Sequence, residues 1–111
     1  MTEFVLSSLL ALPVRMHGIQ LGRPVDVLVD ERGERVVGLE LLCGDGARRF
    51  LPFAVAEIRP DEIAVESALM LLDERDLDYY RARTRRLADT PLVDARIDGR
   101  GTVRSTRTAA A

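Results

Sequence analysis

The chain has few groups able to make or break bonds, so their types and spacing decide what chemistry is open to it. His17 is the single histidine and precedes Gly18 in a stretch that reads as an exposed turn. Acid–base catalysis needs several groups converging with matched protonation states, and the residues around His17 supply no such set. Cys43 is the single cysteine. It permits no internal disulfide, which suits a reducing compartment, and it lies in an apolar strand pattern as a small core residue without a supporting histidine. Neither Ser7-Ser8 nor Ser67 stands in a Gly-x-Ser-x-Gly elbow. Asp26 and Asp30 share one face of a strand but sit about 13 Å apart at strand rise, too far to hold one ion. Asp30, Glu31 and Glu34 surround a turn and read as solvated carboxylates. Gly44-Asp45-Gly46-Ala47 lacks the strand-to-helix junction and Lys-Ser or Lys-Thr ending of a phosphate loop, and one cysteine with one histidine makes no zinc set. The expectation is a protein with no catalytic residues, no cofactor and no metal, and therefore not an enzyme.

Charge offers the stronger signal. Residues 1–80 carry 8 Arg against 15 Asp and Glu, a net of −7, while residues 81–111 carry 8 Arg and 3 Asp, a net of +5. All sixteen basic residues are Arg. Arg81, Arg83, Arg85, Arg86, Arg96, Arg100, Arg104 and Arg107 could meet phosphates, with Tyr79 and Tyr80 as stacking groups. The first four spread around a helix at 100° per residue, however, which favours a solvated helix surface or pairing with the acidic remainder of the chain.

The elements that must position these groups follow from size and pattern. A chain of 111 residues and 12.3 kDa supports one hydrophobic core. Hydrophobic residues make up 47% and charged residues 31%, the balance of a folded rather than a disordered chain. Aromatics are 5%, so the core must be built from Val, Leu and Ala. The longest apolar stretches, Leu9 to Val14 and Ala68 to Leu72, fall well short of the roughly 20 residues that span a bilayer, and no signal-peptide arrangement is visible. No integral membrane segment and a cytoplasmic location are expected.

Along the chain, Glu3 to Leu6 is a short lead-in, and Ser7 or Ser8 is placed to cap a helical turn stopped by Pro13. Val25, Val27 and Val29 alternate with Asp26 and Asp30, a strand with one wet face. Pro24 predicts that the strand begins there or that its amide faces an unpaired edge. Arg32-Gly33-Glu34 turns the chain into a second strand over Arg35 to Cys43, with Val37, Leu39 and Leu41 inward and Gly38 at a bend or close backbone approach. Gly44-Asp45-Gly46 leads to a third strand in which Phe50 and Phe53 share one face. Pro60-Asp61 joins two more short strands. About six short strands in 66 residues favour a small antiparallel barrel over a βαβ arrangement. At Asp73 the period changes: Asp73 caps a helix over residues 73–88, with Leu77, Tyr80, Thr84 and Leu87 along one stripe. Thr90-Pro91 ends it. Residues 89–111 read as one further strand, turning at Asp98-Gly99-Arg100-Gly101, and a frayed basic tail.

Leu6-Ser7-Ser8-Leu9-Leu10, Leu12-Pro13-Val14, Leu21-Gly22-Arg23, Val25-Asp26, Val29-Asp30, Val36-Val37-Gly38-Leu39 and Arg49-Phe50-Leu51-Pro52-Phe53 together resemble the PRC-barrel family. That family includes the cytoplasmic domain of the photosynthetic reaction centre H subunit and the C-terminal domain of the ribosome maturation factor RimM. The resemblance covers about residues 4–72 and implies a free-standing β-barrel, 1–72, that docks within larger assemblies and has no common catalytic chemistry. Leu28 and Leu42 fall on the same face as Asp26, Asp30 and Glu40, where they need cover from the helix or from another subunit. The expected interface is therefore Leu28, Leu42, Leu77 and Tyr80, with Arg83 and Arg86 orienting the contact. A homodimer or a complex with another protein follows. The alternative is an accessory factor bound to RNA or the ribosome through the basic C-terminal third.

Overall fold

The computed structural model describes residues 3–87, 92–93, 96–104 and 107–108. In chain order the elements are β1 (Glu3–Val5), α1 (Leu6–Leu10), β2 (Val14–Met16), β3 (Ile19–Val29), β4 (Val36–Cys43), β5 (Arg48–Pro52), β6 (Glu57–Ile58), β7 (Ile63–Ala64), α2 (Glu74–Arg81), β8 (Arg85–Arg86), β9 (Leu92–Val93), β10 (Arg96–Asp98), β11 (Val103–Arg104) and β12 (Arg107–Thr108). The protein is thus mainly β. Its principal sheet follows the path β5-β4-β3-β2-β7-β6, with β8 joined to β3. Among the described residues no ladder links β5 to β6. The ladders are antiparallel except one: β2 and β7 pair in parallel, Val14 with Ile63 and Arg15 with Ala64, which makes the sheet mixed where an antiparallel one is expected.

The long β3–β4 hairpin is the scaffold, and two irregularities aim its side chains. Pro24 pairs with Leu41 but the next pair is Asp26 with Glu40, so Val25 is an extra residue. Pro24 therefore does not start the strand, which begins at Ile19; on the side of β3 away from β4 the described ladders stop at Gly22 and resume at Leu28, so Pro24 stands where no ladder needs its missing donor. The second register shift, between Leu28–Gly38 and Val29–Val36, makes Val37 the extra residue. Val37 consequently leaves the inward set and packs on the opposite face, while Leu39 and Leu41 stay in the core. Phe50 and Phe53 also part company. Phe50 remains on β5, whereas Phe53 enters a helical turn, Phe53–Val55, and joins the other cluster.

Two apolar clusters result. The larger gathers Leu9, Val14, Val27, Val29, Leu39, Leu41, Leu51 and Ile63 on one face. The smaller, Leu28, Phe50 and Leu77 with Val37, Leu72 and Tyr80 at its rim, lies on the other. It is made by α2 closing over the supposed wet face. Asp73 caps α2 by accepting from the Asp76 amide at 3.1 Å, and Leu77 and Tyr80 project onto the sheet, Tyr80 stacked on Phe50 with ring centroids 4.1 Å apart. Leu77 is fully buried. Leu77→Ala is expected to cost about 2–4 kcal/mol, read as a lower urea midpoint with an unchanged m value.

The helix is shorter than its spacing predicts, ending at Arg81 rather than near residue 88. The hydroxyl of Thr84 donates to the Tyr80 carbonyl at 2.6 Å, and Arg85 and Arg86 become a strand paired with Val29 and Leu28. Leu87 then enters the larger cluster instead of extending the helical stripe. The N-terminal turn differs too: Val5, not a serine, precedes α1 and no side chain caps it. The C-terminal strand expected in residues 89–111 is more elaborate. β10 pairs with β1 on one side and β11 on the other, and β9 pairs with β12. The Val36 amide donates to Gly101 O and the Val103 amide to Glu34 O, both at 2.7 Å, and Ile97 is fully buried. Residues 96–104 are therefore built into the fold, and of the tail from Arg104 onward that is expected to fray, Arg107 and Thr108 pair with β9. The Thr90-Pro91 break and residues 105–106 and 109–111 lie outside the described residues.

Candidate functional site

Of the six residues expected at an interface, the fold brings four together. Leu28, Leu77 and Tyr80 meet around Phe50 within the same chain, and Arg86 lies beside them. Leu28 and Leu77 are 1% and 0% exposed, so their apolar surface is consumed by the helix-on-sheet contact. Leu42 sits apart and half-buried, beside Cys43, Gly22 and Arg23. Arg83 turns back on its own helix, donating to the Tyr79 carbonyl at 2.9 Å, with its guanidinium carbon 3.7 Å from the Tyr79 ring centre.

The charged centre of this contact is Glu40. Its strand places it on the face that α2 covers, and it is only 1% exposed. Arg81 donates from Nε to Oε1 at 3.0 Å and from Nη2 to Oε2 at 2.8 Å, and Arg48 donates from Nη1 to Oε2 at 2.8 Å. Arg86 approaches to 3.9 Å from Glu40 and 3.6 Å from Asp26. Burial pushes the Glu40 carboxyl up, but the hydrogen bonds from Arg81 and Arg48 and the charges of Arg81 and Arg86 outweigh it and leave the group below its ordinary value. Asp26 is buried as well and accepts from the Val27 amide at 2.8 Å. Every described buried side-chain N or O has a hydrogen-bond partner. The cluster clamps α2 to the sheet. Neither Glu40 nor its arginines stand out in the sequence as a set, because 41 residues separate Glu40 from Arg81.

The remaining arginines of the basic segment are partly committed. Arg85 donates to the Glu31 carbonyl at 3.2 Å, and Arg100 O accepts from Arg35 at 3.1 Å. His17 and Gly18 form the β2–β3 turn with φ of 48° and 83°, and His17 is exposed. Cys43 is buried and unbridged. No group of three or more His, Cys, Asp or Glu among the described residues has metal-binding geometry, and no helix among them is long and apolar enough to cross a membrane.

What the sequence pattern does not reveal is a pair of open cavities, neither of which is lined by a residue of the Glu40 clamp. One, of about 510 Å³, is lined by the His17-Gly18 turn, Ala54 to Glu57, Arg59, Glu62, Ala64 to Glu66 and Met70. The other, of about 490 Å³, is lined by Phe4, Phe53, Ala54, Ala56, Glu57, Ile58, Gly99 and Arg100. They share Ala54, Ala56 and Glu57. Arg59 neutralises much of the acidity there by donating to Glu57 at 3.0 Å and to Glu62 at 3.2 Å. Val55, in the wall of the first cavity, is 39% exposed, and Ile19 and Leu69, next in sequence to its lining residues Gly18 and Met70, are 61% and 89% exposed. The lining of the first cavity thus mixes small and apolar side chains with His17, Glu57, Arg59, Glu62 and Glu66. No family model matches the chain, and comparison with curated proteins finds no match.

Proposed function

We propose that this protein is a non-enzymatic interaction module, a PRC-type barrel that self-associates in the cytoplasm. The carrying observation is a pair of open cavities that share Ala54, Ala56 and Glu57 in their linings, with Val55 exposed in the wall of the first and Ile19 and Leu69 exposed next in sequence to its lining residues Gly18 and Met70. Scattered apolar residues need no explanation, but an open concave surface with an exposed apolar side chain in its wall favours a binding role. Affinity would come from burying those apolar side chains, and register from the charges flanking them. The PRC-barrel resemblance over residues 4–72 supports the same reading, since docking is the family's common theme.

Binding to RNA through the basic third is the weaker reading. Arg81 is held by Glu40 and Asp78, Arg86 lies against Asp26 and Glu40, and Arg83 lies on Tyr79, so these arginines would have to give up contacts to reach phosphates. Sedimentation velocity of the whole chain from low to high micromolar concentration tests self-association. The expected result is a weight-average mass rising with concentration toward twice 12.3 kDa; a strictly monomeric particle throughout would overturn it.

A further inference from the structure

Resting on the self-association reading, we propose that the two cavities, which share three lining residues, form one groove that receives a second copy of this chain about a two-fold axis. Glu66 of each copy would then face the partner's Arg100. The inference comes from the order of groups along the groove. Its middle is the shared lining of Ala54, Ala56 and Glu57, beside Val55. Glu66 lines only the first cavity and Arg100 only the second. Glu57 and Glu62 are bound by Arg59, whereas neither the Glu66 carboxylate nor the Arg100 guanidinium has a partner among the described residues. The groove thus carries one unspent negative charge on one side of a middle whose own charge, Glu57, is spent on Arg59, and one unspent positive charge on the other.

That arrangement is self-complementary. A two-fold interface presents the same patch from both copies, so a patch with opposite charges on either side of its centre pairs with itself, while a patch of one sign would repel. Small side chains at the centre, Ala54 and Ala56, let two backbones approach, and Val55 supplies apolar area where the axis would pass. β6 runs along this middle as the last strand of the principal sheet's path. It is only two residues long, too short to recruit a foreign strand by backbone pairing alone. Side-chain complementarity must then select the occupant, and the complementary surface is the chain's own.

The test is sedimentation equilibrium on the full chain and four variants, with circular dichroism to confirm that each is folded. Val55→Asp puts a charge at the axis and is expected to raise the dimer dissociation constant roughly 100-fold. Glu66→Arg and Arg100→Glu each bring like charges together and are expected to raise it about tenfold. The double variant Glu66→Arg with Arg100→Glu restores opposite pairing and is expected to return within about threefold of wild type, because the pair is a charge exchange across the axis. A wild-type dimer indifferent to Val55→Asp would overturn this surface while leaving self-association intact. Weakening by both single reversals without recovery in the double would overturn the proposed pairing. A wild-type chain that stays monomeric would overturn both the groove's occupant and the self-association reading.

Discussion

Gly38→Ala is expected to destabilise the protein by about 3 kcal/mol or more, lowering Tm by roughly 12 °C for a chain of this size. Gly38 lies in mid-strand between Leu28 of β3 and Pro52 of β5, where a methyl group would overlap the Phe50 ring and come within 2.5 Å of the Leu51 carbonyl oxygen. Neither neighbour can yield cheaply. The ring is stacked on Tyr80 at 4.1 Å between centroids, and the carbonyl belongs to a strand fixed by five paired positions. The cost is steric, since Gly38 does not have positive φ. Gly44→Ala is the control: nothing lies within 4 Å of its added carbon, and its effect should stay within about 0.5 kcal/mol. Thermal melts of the two variants check the contrast, and a Gly38→Ala protein melting with wild type would show that Phe50 is not wedged beneath α2.

The role of Gly38 was legible because a glycine between apolar strand residues signals close approach whatever packs against it. Asp73 was legible for a related reason: a cap is written within four residues, and the Asp76 amide it binds is its near neighbour. Alternation placed Val27 and Val29 in the core, but it could not place Val25 or Val37, because a bulge reverses facing without altering composition. The end of α2 was missed where local and distant preferences compete. Leu87 fits the helical stripe at i+3 from Thr84, yet it gains more by entering the larger cluster, and two arginines with no strand signature are drawn into pairing with β3. The candidate groove was invisible for another reason. Its middle is alanine, valine and one ordinary surface glutamate, Glu57, residues without a distinctive pattern, and its ends come from the His17-Gly18 turn and from Gly99 and Arg100, distant in sequence. The Glu40 clamp falls between these cases: the strand face, its need of cover and the option of pairing helix arginines with the acidic remainder are legible, but the particular partners Glu40 and Arg81, 41 residues apart, are not.

That clamp supports the second large effect. Glu40→Gln preserves volume and nearly preserves shape, yet it is expected to cost about 3 kcal/mol at pH 7, because it replaces a buried acceptor-only carboxylate with a neutral amide whose NH₂ faces the donors of Arg81 and Arg48. The arginines are one third to one half exposed, so they can partly recover hydration; what is lost is the set of charge-assisted bonds holding α2 down. The pH dependence separates this electrostatic loss from a packing defect. In the folded chain the Glu40 carboxyl titrates below its ordinary value of 4.5, so the folded state favours the ionised form, and the resulting stabilisation is complete above the unfolded value. It declines as pH falls below 4.5 and through the lower folded value. Glutamine cannot titrate there. Wild type should therefore lose its advantage over Glu40→Gln as the solution is acidified from pH 7 toward pH 3, with the two urea midpoints converging. A gap that stayed constant over that range would mean the variant is damaged by shape alone. Equal stability at pH 7 would mean that α2 is held by Leu28, Phe50 and Leu77 without help from charge. If the midpoints do converge, Tyr80 should leave Phe50 along with the charge, because both contacts lie on the one short helix between Asp73 and Ala82.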